Sequence, residues 1–322
     1  MVLAVLTAAC TTTNSSSSSG PYSKYSIIDI SGPLSDPFFG AVKLGSDSAA
    51  KELGIKYEYS AAANENNLEA DYTRLIQAAM GRKPDALVIG DYIPSAFDPL
   101  IKNAVAAGIP VVITNSGQSS WRADGAIAFI GEDPTQMGQT AGALEVSAGV
   151  HHGLCVDHVP GNPVLEQRCA GYASQIKAGG GDEVFLSIPP TDANNPQAVQ
   201  QAISGQLSAH PQIDGIFTLG PAIAVDAVAA VKSAGKAGQI KIGTTDLSNQ
   251  DLSAVKSGDM LFVLDQQPFL QGYYGLQVAV QFLKYKLAPG APVVTGPFVI
   301  TQSNVSTILD INRAYGGVRG AS

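Results

Sequence analysis

The chain has 322 residues, of which 45% are apolar and 14% are charged, and its net charge is −8. This length and composition are typical of a globular protein with about two domains. The acidic balance, without a cluster of lysine or arginine, argues against nucleic acid or an acidic membrane surface as a partner.

The amino terminus, MVLAVLTAACTTTNSSSSSGP, is typical of the end of an exported lipoprotein signal followed by a flexible tether. We expect lipidation of Cys10, with residues 1–24 forming the signal remnant and the serine-rich tether. Leu6 stands one place further from the cysteine than in the usual lipobox, so a frayed apolar terminus is the alternative. No other segment has the roughly 18 to 20 apolar residues needed to span a bilayer. A lipid would therefore be the only membrane anchor.

From Tyr25 onward, apolar runs alternate with amphipathic stretches, which predicts parallel sheets with helices on both faces. The predicted strands are Tyr25–Ile30, Lys56–Tyr59, Ala86–Ile89, Pro110–Thr114, Ala126–Ile130, Leu154–Val156, Glu183–Ile188, Gly215–Leu219, Ile240–Gly243 and Met260–Leu264. The predicted helices include Leu68–Met80, Phe97–Ala107, Thr135–Val146, Pro196–Ala209, Ile223–Ala234 and Phe269–Tyr285.

The two halves of the chain resemble each other. Residues 75–114 and 202–244 both read as helix, aspartate, apolar strand, glycine, loop, helix and strand. A long unit that occurs once in each half predicts two similar α/β lobes, whose facing strand ends would form a cleft.

Motifs that would indicate an enzyme are missing. The sequence contains no GxGxxG, GxxxxGK[ST], GxSxG or HExxH motif, and we expect no cofactor. His151, His152 and His158 surround one strand and could bind a metal, but solvated loop histidines are favoured and no metal site is expected. Cys155 and Cys169 lie on a strand and on the helix after it, so we expect a disulfide, with two buried thiols as the alternative.

Polar side chains follow several of the predicted strands. Each suits a helix cap or a turn when taken alone, but together they indicate a binding crevice. These residues are Asp36, Asp91, Asn115, Asp246 and Gln266. Carboxylates and amides beside an exposed aromatic face are what a sugar or a polyol requires, because its hydroxyls bond at the edges and its C–H faces stack.

An adjacent pair, Phe38 and Phe39, begins the helix after the first strand. Neighbours on a helix point about 100° apart, so one ring can enter the core while the other faces the crevice. The alternative is that both rings belong to the core.

Several motifs in order resemble the type I periplasmic binding proteins of sugar ABC transporters, the ribose-binding protein group. They are DPFF, GDY, GIPVVITNSG, GTTDLS and LDQQPFLQGYYG. The resemblance implies two Rossmann-like lobes with parallel sheets, joined by three hinge crossings, that close on a ligand. It places residues 25–115 and 267–290 in the first lobe, and residues 116–264 and 296–322 in the second.

The resemblance also implies roles for single residues. Phe38 and Phe39 would stack on the sugar or wall its pocket, and the ligand's hydroxyls would bond to Asp91, Asn115, Asp246 and Gln266, with Asp246 and Gln266 at hinge crossings. Three positions depart from the family pattern: Asp36 and Gly220 replace asparagines, and Glu166 stands where an arginine usually grips the ligand. Either Arg168 does that arginine's work, or the ligand differs from a pentose and has, for example, an amine.

The expected function is that of a lipid-anchored, extracytoplasmic receptor, a monomer that delivers a sugar or polyol to an ABC permease with its ATPase. A sensor that presents its ligand to a membrane receptor is the main alternative. A glycosidase with paired carboxylates is a second alternative. A repressor with the same lobes lacks support, since no helix-turn-helix precedes Tyr25.

Overall fold

The computed structural model describes residues 20–63, 67–189 and 191–321. The expected lipidation site, Cys10, lies outside the described residues. Among those that are described, no helix is long and apolar enough to cross a membrane.

The strands match the predicted positions to within about two residues at each end, and two short strands, β11 and β12, were not predicted. The strands are β1 (Ser26–Ile30), β2 (Lys56–Ser60), β3 (Ala86–Ile89), β4 (Val111–Asn115), β5 (Ala128–Gly131), β6 (His152–Asp157), β7 (Asp182–Ser187), β8 (Gly215–Thr218), β9 (Lys241–Thr245), β10 (Phe262–Asp265), β11 (Val293–Val294) and β12 (Phe298–Ile300).

The helices alternate with these strands. They are α1 (Pro37–Leu53), α2 (Leu68–Gly81), α3 (Pro94–Ala106), α4 (Pro134–Ser147), α5 (Pro163–Ala178), α6 (Pro196–Ala209), α7 (Pro221–Ser233), α8 (Asn249–Ser257), α9 (Pro268–Tyr285) and α10 (Val305–Ala314).

Two six-stranded sheets form the centres of two lobes, as the fold prediction requires. The first has the order β11-β5-β4-β3-β1-β2 and the second β12-β10-β9-β8-β6-β7. The strands pair in parallel, except that β12 is antiparallel to β10. Their sequences are nearly continuous apolar runs, such as ALVI in β3, because helices cover both faces of each sheet.

Glycines let the helices that carry the site pack closely in each lobe. A Cβ atom at Gly45 of α1 would lie 1.9 Å from the carbonyl oxygen of Phe269 in α9. In the second lobe, a Cβ atom at Gly138 of α4 would lie 1.9 Å from the carbonyl oxygen of Arg168 in α5. Only glycine permits backbones to approach this closely. The positions of α1 and α5 are therefore fixed by backbone packing.

Three crossings connect the lobes side by side, after β5, after β10 and after β11. The Thr295 backbone N–H donates to the carbonyl oxygen of Gly131 over 2.8 Å, and the Thr295 hydroxyl donates to the carbonyl oxygen of Gln266, also over 2.8 Å. The third crossing is thus hydrogen-bonded to both of the others.

The expected start of the second lobe at residue 116 is wrong. Strand β5 pairs with β4 and β11, with Ile113 opposite Phe129, so it belongs to the first sheet. The polar segment after Asn115 is a loop within the first lobe, and the buried Trp121 in this loop packs in the core of that lobe. The chain first crosses at Glu132 and Asp133, where β5 ends and α4 begins.

The second lobe contains a disulfide between Cys155 of β6 and Cys169 of α5, with their Cα atoms 5.7 Å apart. The bond joins a strand to the helix that follows it. It therefore fastens α5, the helix that carries Arg168, to the second sheet.

Candidate functional site

A cavity of about 450 Å³ lies between the lobes, at the carboxyl ends of strands from both sheets. Its volume lies within the range of about 300 to 1,000 Å³ that is typical of small-molecule sites. Six of the eight predicted ligand-binding residues line it, namely Asp36, Phe38, Phe39, Asn115, Asp246 and Gln266. Asp91 and Glu166 do not.

The start of α1 forms the wall on the first lobe. The Asp36 side chain caps the helix by accepting a hydrogen bond from the Phe38 backbone N–H over 2.8 Å, and burial raises the pKa of Asp36. The rings of Phe38 and Phe39 pack edge to face, with centroids 5.1 Å apart. Both rings are buried and both line the cavity, which agrees with the pocket wall that the resemblance implies, whereas the helix pattern alone placed one ring or both in the core.

Tyr92 extends this aromatic wall, although the sequence analysis selected its neighbour Asp91 instead. Its ring packs edge to face against Phe39, with centroids 5.8 Å apart. Its hydroxyl is buried and has no hydrogen-bond partner within the part of the chain that the structure describes. The hydroxyl lies against Gly90, where a Cβ atom would be 2.2 Å away, so Tyr92 contributes its ring to the cavity wall.

Arg168 lines the cavity on the second lobe and is held there by hydrogen bonds to two neighbours. Its Nε atom donates to Oε1 of Glu132 over 2.7 Å, and its Nη1 atom donates to the Thr245 hydroxyl over 3.2 Å. Both charged side chains are buried. Burial raises the pKa of Glu132, and the Arg168 guanidinium opposes that rise. The pair is therefore a buried ion pair in which each charge depends on the other.

Asp246 and Gln266 lie beside this ion pair. Nε2 of Gln266 donates to Oδ1 of Asp246 over 2.8 Å, and burial raises the pKa of Asp246 to about 7 while the Arg168 charge lowers it. Oε1 of Gln266 is buried and accepts no hydrogen bond from any described residue. Gln266 lies at the second crossing, but Asp246 follows β9 within the second lobe, so its predicted place at a crossing is wrong.

Asn115 ends β4 with a φ of 63°, in the left-handed region that asparagine tolerates better than most residues. Its Nδ2 atom donates to Oε1 of Gln271 in α9 over 3.2 Å. Asn115 therefore lines the cavity from the first lobe while it contacts the helix after the second crossing.

The structure places Asp91 and Glu166 away from the cavity. Asp91 is fully buried and accepts a hydrogen bond from the Ser120 hydroxyl over 3.0 Å. Glu166 is exposed, and its Oε1 atom accepts from the Gly161 backbone N–H over 3.1 Å. Two residues span about 200° on a helix, so Arg168 points into the cavity when Glu166 points out.

His158 also lines the cavity and is not the solvated loop histidine that we expected. Burial lowers the pKa of His158 to about 4, and the positive charge of Arg168 adds to this effect. A Cβ atom at Gly220 would lie 3.1 Å from Cε1 of His158. The glycine that replaces the family's asparagine therefore makes room for the imidazole.

The carboxy-terminal segment supplies a further cavity residue, Arg319, which no sequence motif indicated. Its guanidinium forms an ion pair with the buried Asp265 at the end of β10 and packs over the Phe298 ring. Gly320 lies against the start of α1, because a Cβ atom there would be 3.1 Å from Cα of Phe38. This segment therefore links the second lobe to the aromatic wall.

Comparison with known proteins agrees with this architecture. A sequence profile described as a periplasmic binding protein domain matches residues 30–287. A D-ribose/D-allose-binding protein of Pseudomonas aeruginosa is 26% identical over 257 residues, which are 78% of this chain and 79% of the relative. The chain belongs to the type I periplasmic binding proteins of sugar ABC transporters. This confirms the resemblance drawn from the motifs.

Two solved structures of such binding proteins also superpose on the chain. A carbohydrate transporter from Acidothermus cellulolyticus 11B, in complex with myo-inositol, is 32% identical with a TM-score of 0.80, covering 93% of this chain and 100% of its own. A periplasmic ribose ABC transporter from Conexibacter woesei has a TM-score of 0.81 at 20% identity, covering 94% and 99%.

A xylitol-binding protein of Mycolicibacterium smegmatis is 25% identical over 277 residues, or 83% of this chain and 75% of the relative. The relatives named here are sugar-binding or polyol-binding proteins rather than enzymes. Membership of this family implies an extracytoplasmic location for the periplasmic binding protein described here.

Proposed function

We propose that this binding protein captures a neutral sugar or polyol between its lobes and delivers it to an ABC permease. The observation that carries the proposal is that two unlike walls face one cavity, with Phe38 and Phe39 on one and Arg168 and Asp246 on the other. A polyhydroxylated ligand has C–H faces that stack on rings and hydroxyls that bond to charged and amide groups. Such a ligand uses both walls at once.

The charges of the cavity favour a neutral ligand. Both arginines that line it, among the residues described, already pair with carboxylates: Arg168 with Glu132, and Arg319 with Asp265. An anionic ligand would lose its hydration without meeting an unpaired cation. Burial raises the pKa of Asp36 and of Asp246, which weakens the negative charge that these two cavity residues could offer to a cationic ligand. Glu166, the acid that would have favoured an amine, faces solvent.

The relatives bind ligands of this chemical class. Their names and structures include D-ribose, D-allose, xylitol and myo-inositol, which are neutral and rich in hydroxyls. These compounds are the first candidates for the ligand of this protein.

Closure of the lobes would couple binding to transport. A ligand that contacts both walls has more contacts in the closed form than in the open form, so it shifts the population toward closure. The permease would then recognise the closed form. No bond in the ligand needs to break, so we propose a receptor and not an enzyme. We propose that it acts as a monomer.

A lipid on Cys10 would hold the receptor at the outer face of the membrane. The proposal rests on the small residues before Cys10 and on the serine-rich tether after it. In the native host, Cys10→Ala should move the protein from the membrane fraction to the soluble extracytoplasmic fraction. Unchanged membrane association would contradict the anchor while leaving ligand binding untouched.

Thermal shift and isothermal titration calorimetry test the binding step, since a ligand specific for the folded state raises the melting temperature. The panel comprises D-ribose, D-allose, xylitol, myo-inositol and D-glucosamine, with Asp246→Asn and Glu166→Gln as variants. We expect one neutral compound to bind at a single site, more weakly in Asp246→Asn and equally in Glu166→Gln. Binding of the amine alone, or equal loss in Glu166→Gln, would overturn the proposal.

A further inference from the structure

Three carboxylates meet in the first lobe, outside the ligand cavity. Asp91 follows β3, Asp98 lies in α3, and Asp124 lies in the turn before β5. One oxygen of each lies within 4.8 Å of an oxygen of the other two. The fold thus brings together three acids that are distant in sequence.

Two of these carboxylates are buried with oxygens that lack partners. Asp91 and Asp124 have 0% and 1% of their surface exposed. Oδ1 of Asp91 and Oδ2 of Asp124 accept no hydrogen bond from any residue of the described ranges, whereas Oδ2 of Asp91 accepts from the Ser120 hydroxyl. Buried carboxylates without hydrogen-bond donors are costly unless a cation binds them or they become protonated.

Among the residues that the structure describes, one cation pairs with the cluster: the Nζ atom of Lys102 lies 3.1 Å from Oδ1 of Asp124. The Lys102 side chain is 52% exposed and can turn outward into solvent. One ammonium cannot balance three carboxylates, and Asp98 is partly exposed, which gives an ion a path to the cluster.

We propose that Asp91, Asp98 and Asp124 form a binding site for a hard divalent cation, with Ca²⁺ as the best match. Carboxylate oxygens are the ligands that Ca²⁺ prefers, at about 2.3 to 2.6 Å, so two oxygens on opposite sides of the ion lie up to about 5 Å apart. The oxygen spacing of the cluster fits an ion at its centre. Such an ion would tie the end of β3 to α3 and to the turn that contains Trp121.

Calcium titration of the full chain tests the site, monitored by calorimetry and by thermal unfolding at pH 8. We expect one Ca²⁺ per chain, a Kd on the order of 0.1 to 1 mM, as in extracellular modules, and a higher melting temperature. Asp98→Asn should abolish the response. Glu69→Gln removes an exposed acid from the same lobe, with the same change in charge, and should respond like the unchanged protein.

Lys102→Ala provides a second test in case Asp98→Asn folds poorly. The Lys102 side chain is exposed, so its loss should not disturb the fold, and the substitution removes the ammonium that competes with Ca²⁺ for Asp124. Lys102→Ala should bind Ca²⁺ more tightly than the unchanged protein. Terbium luminescence sensitised by Trp121, the only tryptophan in the sequence, should appear in the unchanged protein. Added Ca²⁺ should lower this luminescence by displacing terbium from the site. The site would be overturned if neither the unchanged protein nor Lys102→Ala responded to Ca²⁺ and if Asp98→Asn were more stable than the unchanged protein in metal-free buffer. The carboxylates would then be stabilised by a proton that they share.

Discussion

The two walls of the cavity differ in the interactions that they offer. The wall on the first lobe consists mainly of the rings of Phe38, Phe39 and Tyr92. The wall on the second lobe carries charged groups, Arg168 and Asp246, held by hydrogen bonds to their neighbours. Aromatic contact depends on area and tolerates many orientations, whereas charge-assisted hydrogen bonds fix distance and direction.

We therefore expect the two lobes to contribute differently to ligand binding. The aromatic wall would contribute affinity for the apolar face of any sugar, and the charged wall would select the arrangement of hydroxyls. Gln266 lies at a crossing between the lobes and donates a hydrogen bond to Asp246. Selection and closure would therefore depend mainly on the second lobe, a claim that substitutions on the two walls can test.

The largest effect is expected from Arg168→Met, because it leaves Glu132 buried without its cation. Loss of one partner of a buried ion pair costs about 3 to 5 kcal/mol of folding free energy. Urea unfolding at pH 7 measures this loss, and ligand binding should disappear with it. The double variant Arg168→Met/Glu132→Gln should recover most of the stability. Equal destabilisation in the single and double variants would show that the charge of Glu132 is not the cause.

A smaller effect is expected from Asp246→Ala, which removes a charged acceptor from the cavity but little core volume. A hydrogen bond to a charged group contributes about 1.5 to 3 kcal/mol, which corresponds to a roughly 10- to 150-fold weaker Kd. Calorimetry with the ligand identified by the panel measures the change. Unchanged affinity would show that Asp246 does not contribute to ligand binding.

On the aromatic wall, Phe38→Ala should weaken binding by roughly 1 to 3 kcal/mol, since the ring supplies stacking area. Phe39→Ala should cost more folding stability, because the Phe39 ring also packs on Tyr92 and fills the space beside Gly32. Paired measurements of Kd and melting temperature separate the two roles. A fall in melting temperature for Phe38→Ala without a change in Kd would assign that ring to the core alone.

The smallest effect is a pH dependence of affinity that arises from Asp246. Its pKa is raised to about 7, so its contribution to folding stability is present at low pH and is lost as pH rises toward 7. Ligand binding to the ionised carboxylate has the opposite trend, so affinity should fall about tenfold between pH 8 and pH 6. Asp246→Asn should flatten this profile. A profile that stays equally steep in the variant would point to another group.

The sequence predicted the architecture well because its signals are local. Apolar runs of strand length and amphipathic helices with capping residues locate most of the elements and the crevice at the strand ends. The lobe boundary at residue 116 was wrong because strand pairing joins segments that are distant in sequence: β5 belongs to the first sheet through its pairing with β4 and β11. No sequence feature near residue 116 indicates this pairing.

Within the site, the errors are errors of side-chain direction. Asp91 and Tyr92 are adjacent, and the backbone after β3 turns the tyrosine toward the cavity and the aspartate into the lobe. Glu166 and Arg168 lie on opposite faces of α5. Arg319 reaches the cavity only because the carboxy-terminal segment returns to α1, a contact that no short motif records.

A crystal structure of the protein with the compound selected by the binding panel would show whether both walls hold the same ligand. We expect the ligand in the interlobe cavity, with a C–H face against Phe38 or Phe39 and with hydroxyls bonded to Asp246 and Gln266. A ligand held by one lobe alone, or bound outside this cavity, would contradict the claim that both walls act on the same ligand.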